Sequence, residues 1–159
     1  MQAKPEQQHE WLKQLVGEWT YEIDAPGPDG KPMKLTGTES VRMFGDLWLI
    51  AHGRGTMPDG SPAETQLTIG YDPAKACFVG TWFGTMMTML WTYEGQLDES
   101  KKSLTLESTG PTMTPEGGTT RYRDTITLIS PTERTFDSTV EGKDGTWTPM
   151  MSMTHRRKL

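Results

Sequence analysis

Hydrophobic residues follow two different periods along this chain of 159 residues. Near the start, one apolar stripe has the spacing of a helical face and is formed by Trp11, Leu12, Leu15 and Val16. Pro5 suits a first helical turn, and Gly17 suits the position just after a helix. The pattern therefore predicts one helix over residues 5–16.

From Gly17 onwards the period changes to two, so that Trp19, Tyr21 and Ile23 share one face of a strand. Later segments repeat this alternation and are rich in threonine, valine and aromatic residues, which strands favour. The predicted strands are 18–24, 35–44, 46–54, 63–71, 76–83, 86–94, 103–109, 120–130, 133–141 and 146–156.

The segments between these strands are short and rich in turn residues. Asp-Gly pairs occur in "PGPDGKP", "MPDGSP" and "EGKDGTW", and the longest predicted loop covers 108–118. About ten short strands with short turns predict an antiparallel meander, and closure removes the two exposed edges of an open sheet. We expect an all-β protein, a closed up-and-down barrel over 17–157 with one short N-terminal helix, in a single domain of residues 1–159.

The stretch "VGEWTYEI" resembles the start of the calycin barrels, which include lipocalins and fatty-acid-binding proteins. In those families the tryptophan plugs the closed end of the barrel, and a basic residue of the last strand often packs across its ring. The resemblance implies that Trp19 closes the barrel. It also implies that Arg156, or else Arg157, packs across the ring.

A narrower resemblance covers nearly the whole chain. The segments "HEWLKQLVGEWTYE", "LTIGYDPAKACFVGTW", "YEGQLDESKKSLTLES" and "DGTWTPMMSMTHRRK" are similar to a bacterial calycin-like family catalogued as domain of unknown function 1579. This resemblance implies a lipocalin-like barrel. It implies no activity, since none is established for the family.

Composition argues against several classes of function. The net charge of −5 disfavours a nucleic-acid surface, and no apolar run approaches the roughly 20 residues of a membrane span. The start of the chain lacks a secretory signal, which predicts a protein that is cytoplasmic or else already processed. The only cysteine is Cys77, and the three histidines show no ligand spacing, so no metal site is predicted. With no Gly-x-Ser-x-Gly motif and no catalytic residues recognised, we expect a binding protein rather than an enzyme.

Methionine is the most unusual component, because six of the 11 methionines lie in "TMMTMLW" and "PMMSMTH". Methionine is flexible and polarizable, and it is common where a surface adapts to an apolar ligand. We predict a barrel that binds a small, largely apolar molecule, with His155 as a polar handle. The other predicted lining residues are Tyr21, Trp82, Met87, Met89, Trp91, Met151 and Met153.

Two alternatives remain open at this point. His155 could ligate haem, as a C-terminal histidine does in the lipocalin-like protein nitrobindin, although the glycines that follow the tryptophan there are absent after Trp19. Alternatively, large side chains fill the barrel, and exposed aromatic residues support self-association, for example as a homodimer. The choice depends on which strand faces point inward, and a shift of one residue reverses that assignment.

Overall fold

The structure is a computed structural model that describes residues 2–27 and 29–159. It begins with a short helix, α1 (Gln7–Leu12), followed by a 3-10 turn at Lys13–Leu15. The strands are β1 (Gly17–Pro26), β2 (Pro32–Phe44), β3 (Trp48–Thr56), β4 (Pro62–Asp72), β5 (Cys77–Gly84), β6 (Trp91–Leu97), β7 (Ser103–Pro111), β8 (Thr119–Ser130), β9 (Glu133–Glu141) and β10 (Trp147–Arg157).

The ten strands form a closed barrel in which each strand is antiparallel to the next along the chain. Pairing of β1 with β10 closes the barrel and sets Trp19 opposite Arg157, and Tyr21 opposite His155. The predicted up-and-down barrel with one N-terminal helix is thus confirmed. None of the helices in the described residues is long and apolar enough to cross a membrane.

The predicted strand at 86–94 is wrong in its first half. Residues 85–90 form the connection between β5 and β6, and the strand begins at Trp91. Met87 and Met89 therefore do not alternate on a strand face with Trp91. The apolar composition of this segment is typical of a strand, but the chain reverses direction there between two antiparallel strands. The loop predicted at 108–118 is also shorter, because β7 continues to Pro111.

The helix caps one end of the barrel, and its apolar side is buried. Trp11 Nε1 donates a hydrogen bond to the Lys101 carbonyl at 2.7 Å, which ties the helix to the connection between β6 and β7. His9, which the helical pattern places on the polar side, is only 3% exposed. Its Nδ1 accepts from the Glu6 N–H at 2.8 Å, and its Nε2 lies 3.2 Å from the Tyr71 carbonyl. These bonds satisfy the imidazole and explain its burial.

The two halves of the barrel differ in how fully their interiors are packed. At the helix end, inward side chains are almost completely buried and form the core with the helix; examples are Leu12, Trp19, Leu49, Ile69, Phe78, Leu104, Leu106 and Ile126. At the opposite end, Tyr21, Trp82 and Met153 on the same inner faces are only half-buried, whereas Leu35 and Tyr122 are buried. We call these the closed end and the open end.

Candidate ligand-binding site

The candidate site is the inner face of the open end, which we call the hollow. It is defined by the half-buried inward residues Tyr21, Ile23, Trp82, Trp91, Met151 and Met153. The register brings these residues together in pairs, because Trp82 lies opposite Trp91 and Ile23 lies opposite Met153. These inward side chains are partly accessible to solvent, which distinguishes this end of the barrel from the buried core at the closed end.

Glycines on neighbouring strands give two of the large aromatic side chains their places against the barrel wall. A Cβ atom added at Gly37 or Gly55 would overlap the Tyr21 ring or its hydroxyl, and one added at Gly110 would overlap the Trp91 indole. Each ring thus lies directly against the backbone of the barrel wall, in a place that only glycine leaves free. The aromatic residues line the wall instead of crossing the barrel.

The methionines of the 85–90 loop lie beside Trp91 although they are not on a strand. Trp91 Nε1 donates to the Met87 sulfur at 3.2 Å, and the Met89 methyl lies close to the position that a Gly110 side chain would occupy. Met87 is 41% exposed. These two residues form part of the rim, and their binding of a ligand stays a prediction.

A buried polar cluster lies next to Tyr21, on strands β2, β9 and β10. Arg134 donates a hydrogen bond to Glu39, and His155 Nε2 lies 3.7 Å from the same carboxylate oxygen, which is too long for a hydrogen bond. The His155 ring packs on Tyr21 with centroids 5.7 Å apart. His155 is 1% exposed, so a ligand in the hollow would reach it only after Tyr21 moved.

The electrostatics of this cluster favour an ion pair between Glu39 and Arg134 beside an uncharged His155. Burial alone would raise the pKa of Glu39. Its polar contact with His155 and the positive charge of Arg134 outweigh the effect of burial and lower that pKa to about 2. Burial lowers the pKa of His155. Neither ring nitrogen of His155, nor Arg134 Nε, has a hydrogen-bond partner among the described residues. Glu39 and Arg134 therefore neutralise each other inside the barrel.

A second polar cluster joins β6, β8 and β9. Tyr93 donates its hydroxyl proton to Asp124, and Ser138 Oγ donates to the other carboxylate oxygen at 2.5 Å. Burial raises the pKa of Asp124, and burial together with the Asp124 charge raises that of Tyr93. Ser108, which lies near Tyr93, has a buried hydroxyl with no partner among the residues the structure describes. This cluster supplies the inner wall with hydrogen-bonding groups.

The wall of the barrel loosens between β6 and β7. The pairing of these strands stops at Glu94 and Glu107, so Tyr93 and Ser108 are not paired across it. A cleft of about 570 Å³ occupies this place and is lined both by outward residues such as Thr92 and by the inward Tyr93 and Ser108. The cleft thus extends from the outer surface toward the second polar cluster.

At the closed end, Trp19 lies between two guanidinium groups. Its Nε1 donates to the Leu15 carbonyl at 2.9 Å, and the Arg134 and Arg157 guanidinium carbons lie 4.6 and 4.2 Å from the ring centroid. The assignment of Arg156 to this place is wrong. Arg156 is on the outer face, where it pairs with Glu22 at 3.0 Å. Successive strand residues face opposite ways, so the inward partner of Trp19 is Arg157.

Haem ligation through His155 stays a prediction, and the surroundings of that residue do not fit an axial ligand. An axial imidazole needs one nitrogen that faces space large enough for the iron and its macrocycle. Both nitrogens of His155 are inaccessible, with Tyr21 against the ring and Glu39 and Arg134 beside it. No step in the function proposed below depends on haem.

Sequence reasoning missed the polar residues of the interior, namely Glu39, Tyr93, Asp124, Arg134 and Ser138. Part of the signal was present, because Asp124 has the same strand parity as Tyr122 and Ile126, which are buried. Arg134 likewise has the parity of Phe136. What the sequence could not supply was the pairing of these groups across different strands, which makes their burial possible.

The model of a family described as "Protein of unknown function (DUF1579)" matches residues 4–157. No curated protein matches the chain. Among solved structures, Rv2717c from M. tuberculosis is similar over 98% of this chain and all of that one, with 11% identity and a TM-score of 0.62. A de novo designed fluorescence-activating β-barrel matches over 92% of this chain and 96% of its own, with 16% identity and a TM-score of 0.48. The barrel EF1p2_mFAP2b, solved with DFHBI bound, matches over 94% and 98%, with 17% identity and a TM-score of 0.48.

Proposed function

Because the chain belongs to this family of unknown function, whose description assigns no activity, we propose a function from the geometry: the hollow binds a small, largely apolar molecule. One observation carries the proposal. Large apolar and aromatic side chains point into the barrel, yet Trp82, Trp91 and Met153 remain half-exposed there. When a ligand displaces water from apolar surface that faces inward, the free energy of the system falls, and this favours binding.

The composition of the hollow is that of a ligand pocket. Such pockets are concave and mainly apolar, with few polar groups that fix orientation. Aromatic rings supply large contact areas, and the flexible Met151 and Met153 side chains can adapt to ligands of different shape. Each 100 Å² of apolar surface that a ligand buries here contributes roughly 2.5 kcal/mol before the costs of association.

The test is a titration with N-phenyl-1-naphthylamine, an uncharged apolar dye whose emission increases and shifts to the blue in apolar surroundings. Saturable binding to the wild-type protein is expected. Met153→Trp places a larger side chain in the hollow and should weaken binding at least tenfold while leaving the protein folded, because Met153 is only half-buried.

Ser152→Trp is the control, since Ser152 is exposed and lies next to Met153 on the same strand, so that its side chain points to the outside of the barrel. It should bind the dye like the wild type. Thermal unfolding of all three proteins shows whether each is folded. Absence of saturable binding to the wild type, or equal affinities of the two variants, would show that the dye does not occupy the hollow and that the proposal is wrong.

A further inference from the structure

Four charged side chains face the inside of the barrel in the described residues, namely Glu39, Asp124, Arg134 and Arg157. All other charged residues on the strands point outward or lie at strand ends. The chemistry of these four groups decides whether the hollow can accept a charged ligand, because a buried charge without a partner is strongly unfavourable.

Neither inward arginine is free to bind an anion. Arg134 is 3% exposed and bonded to the Glu39 carboxylate, and its Nε, although without a partner among the described residues, is inaccessible to solvent. Arg157 is at the closed end, where its guanidinium donates to the Val16 and Gln14 carbonyls and lies over Trp19. The described residues thus leave the hollow without a cation of its own.

The inward carboxyl groups are occupied as well. Glu39 is balanced by Arg134, and Asp124 accepts hydrogen bonds from Tyr93 and Ser138. Two hydroxyl groups on the inner face have no hydrogen-bond partner among the residues the structure describes, namely that of the half-buried Tyr21 and that of the buried Ser108, and the Tyr21 hydroxyl is the more accessible of the two. This hydroxyl can donate to, or accept from, an uncharged alcohol, carbonyl or ether.

The rim adds a second barrier to anions. The four turns at the open end that carry charged residues, within 27–31, 57–61, 112–118 and 142–146, contribute carboxylates at Asp29, Asp59, Glu116 and Asp144 but ammonium groups only at Lys31 and Lys143. A ring with an excess of negative charge lowers the local concentration of anions at the mouth. The effect is screened by salt, whereas the lack of a cation inside is not.

We infer that the hollow selects an uncharged apolar molecule and excludes carboxylates and other anions of the same size and shape. The inference rests on the proposed function and narrows its ligand class.

The experiment compares N-phenyl-1-naphthylamine with 8-anilinonaphthalene-1-sulfonate, which has the same aromatic body plus one sulfonate. The uncharged dye should bind at least tenfold more tightly, which corresponds to about 1.4 kcal/mol. Displacement of the bound dye gives a second comparison, in which dodecanol should compete at least tenfold better than dodecanoate at pH 8. A sulfonate dye that binds as tightly as the uncharged one, or a dodecanoate that competes as well as dodecanol, would overturn the inference.

A variant tests the physical cause. Glu39→Gln leaves Arg134 without its carboxylate and should raise the relative affinity for the sulfonate dye at least fivefold. Glu22→Gln is the control, because Glu22 is on the outer face of the same region and pairs with Arg156. An unchanged ratio in folded Glu39→Gln would show that Arg134 does not govern selectivity and would contradict the inference.

The outcomes separate the inference from the proposed function. If neither dye binds the wild-type protein, the proposed function fails, and the inference fails with it. If both dyes bind with equal affinity, only the inference fails. If Glu39→Gln does not fold, the alcohol and carboxylate comparison in the wild-type protein decides the matter alone.

Discussion

Trp19→Ala is expected to destabilise the barrel more than any other tryptophan replacement on a strand, because of what surrounds the indole. Trp19 is 1% exposed, donates a hydrogen bond to Leu15, and lies between the guanidinium groups of Arg134 and Arg157. Truncation removes these contacts together and leaves a cavity between the helix and the barrel. Both arginines also lose the ring that shields them.

The expected magnitude follows from the burial. Replacing a fully buried tryptophan with alanine costs about 3–5 kcal/mol, which includes the cavity. For a chain of this size each kcal/mol lowers the melting temperature by about 2–4 °C, so the loss should be about 6–20 °C. Trp19→Phe keeps an aromatic ring between the two arginines and loses the hydrogen bond to Leu15, and it should cost about 1–2 kcal/mol.

Urea and thermal unfolding followed by far-ultraviolet circular dichroism measure these costs without depending on tryptophan fluorescence. Trp48→Ala is the control, because Trp48 is 44% exposed on the outside of the barrel, and it should cost about 1 kcal/mol or less. A Trp19→Ala variant whose stability lies within about 1 kcal/mol of Trp48→Ala would show that Trp19 is not buried in the closed end as described.

Three further perturbations test other parts of the structure. Deletion of residues 2–15 uncovers Trp19 and should give a protein that aggregates or melts at lower temperature; a truncated chain with wild-type stability would show that the helix does not dock. Glu39 has a folded-state pKa of about 2, below its ordinary value of 4.5, so it stabilises the fold above about pH 4.5, and this contribution of a few kcal/mol is lost as the pH falls toward 2. Urea titrations of wild type and Glu39→Gln should therefore converge as the pH falls through this range, and parallel curves would count against the ion pair. Tyr93→Phe removes a donor to the buried Asp124 and should cost about 1–3 kcal/mol in urea unfolding, and a neutral effect would show that this hydrogen bond is not formed.

The local sequence pattern was sufficient to predict most of the fold, because apolar and polar residues alternate along most of the strands. The residues Trp19, Tyr21 and Ile23 share an inner face as their spacing predicts, and Met151, Met153 and His155 do the same on the last strand. Closure also followed from physics, since an open meander would leave two edges. The pattern failed at 85–90, where an apolar segment satisfies the same rule without being a strand.

The interior chemistry could not be predicted to the same extent, because it depends on partners from distant strands. Glu39 and Arg134 are separated by 95 positions, and neither residue alone indicates burial. Parity was still informative: Arg157 shares the face of His155, which by itself favours Arg157 over Arg156 as the partner of Trp19. The glycines that give Tyr21 and Trp91 their places are visible in the sequence, but the ring that each accommodates is not.

A crystal structure of the protein grown with N-phenyl-1-naphthylamine would locate the ligand and show whether the barrel is hollow. If the hollow binds the dye, electron density for one dye molecule is expected inside the open end, in contact with Trp82, Trp91 and Met153, while Arg134 remains paired with Glu39. Density for the dye only on the outer surface, with the side chains of the open end packed against one another across the barrel, would contradict the proposed function.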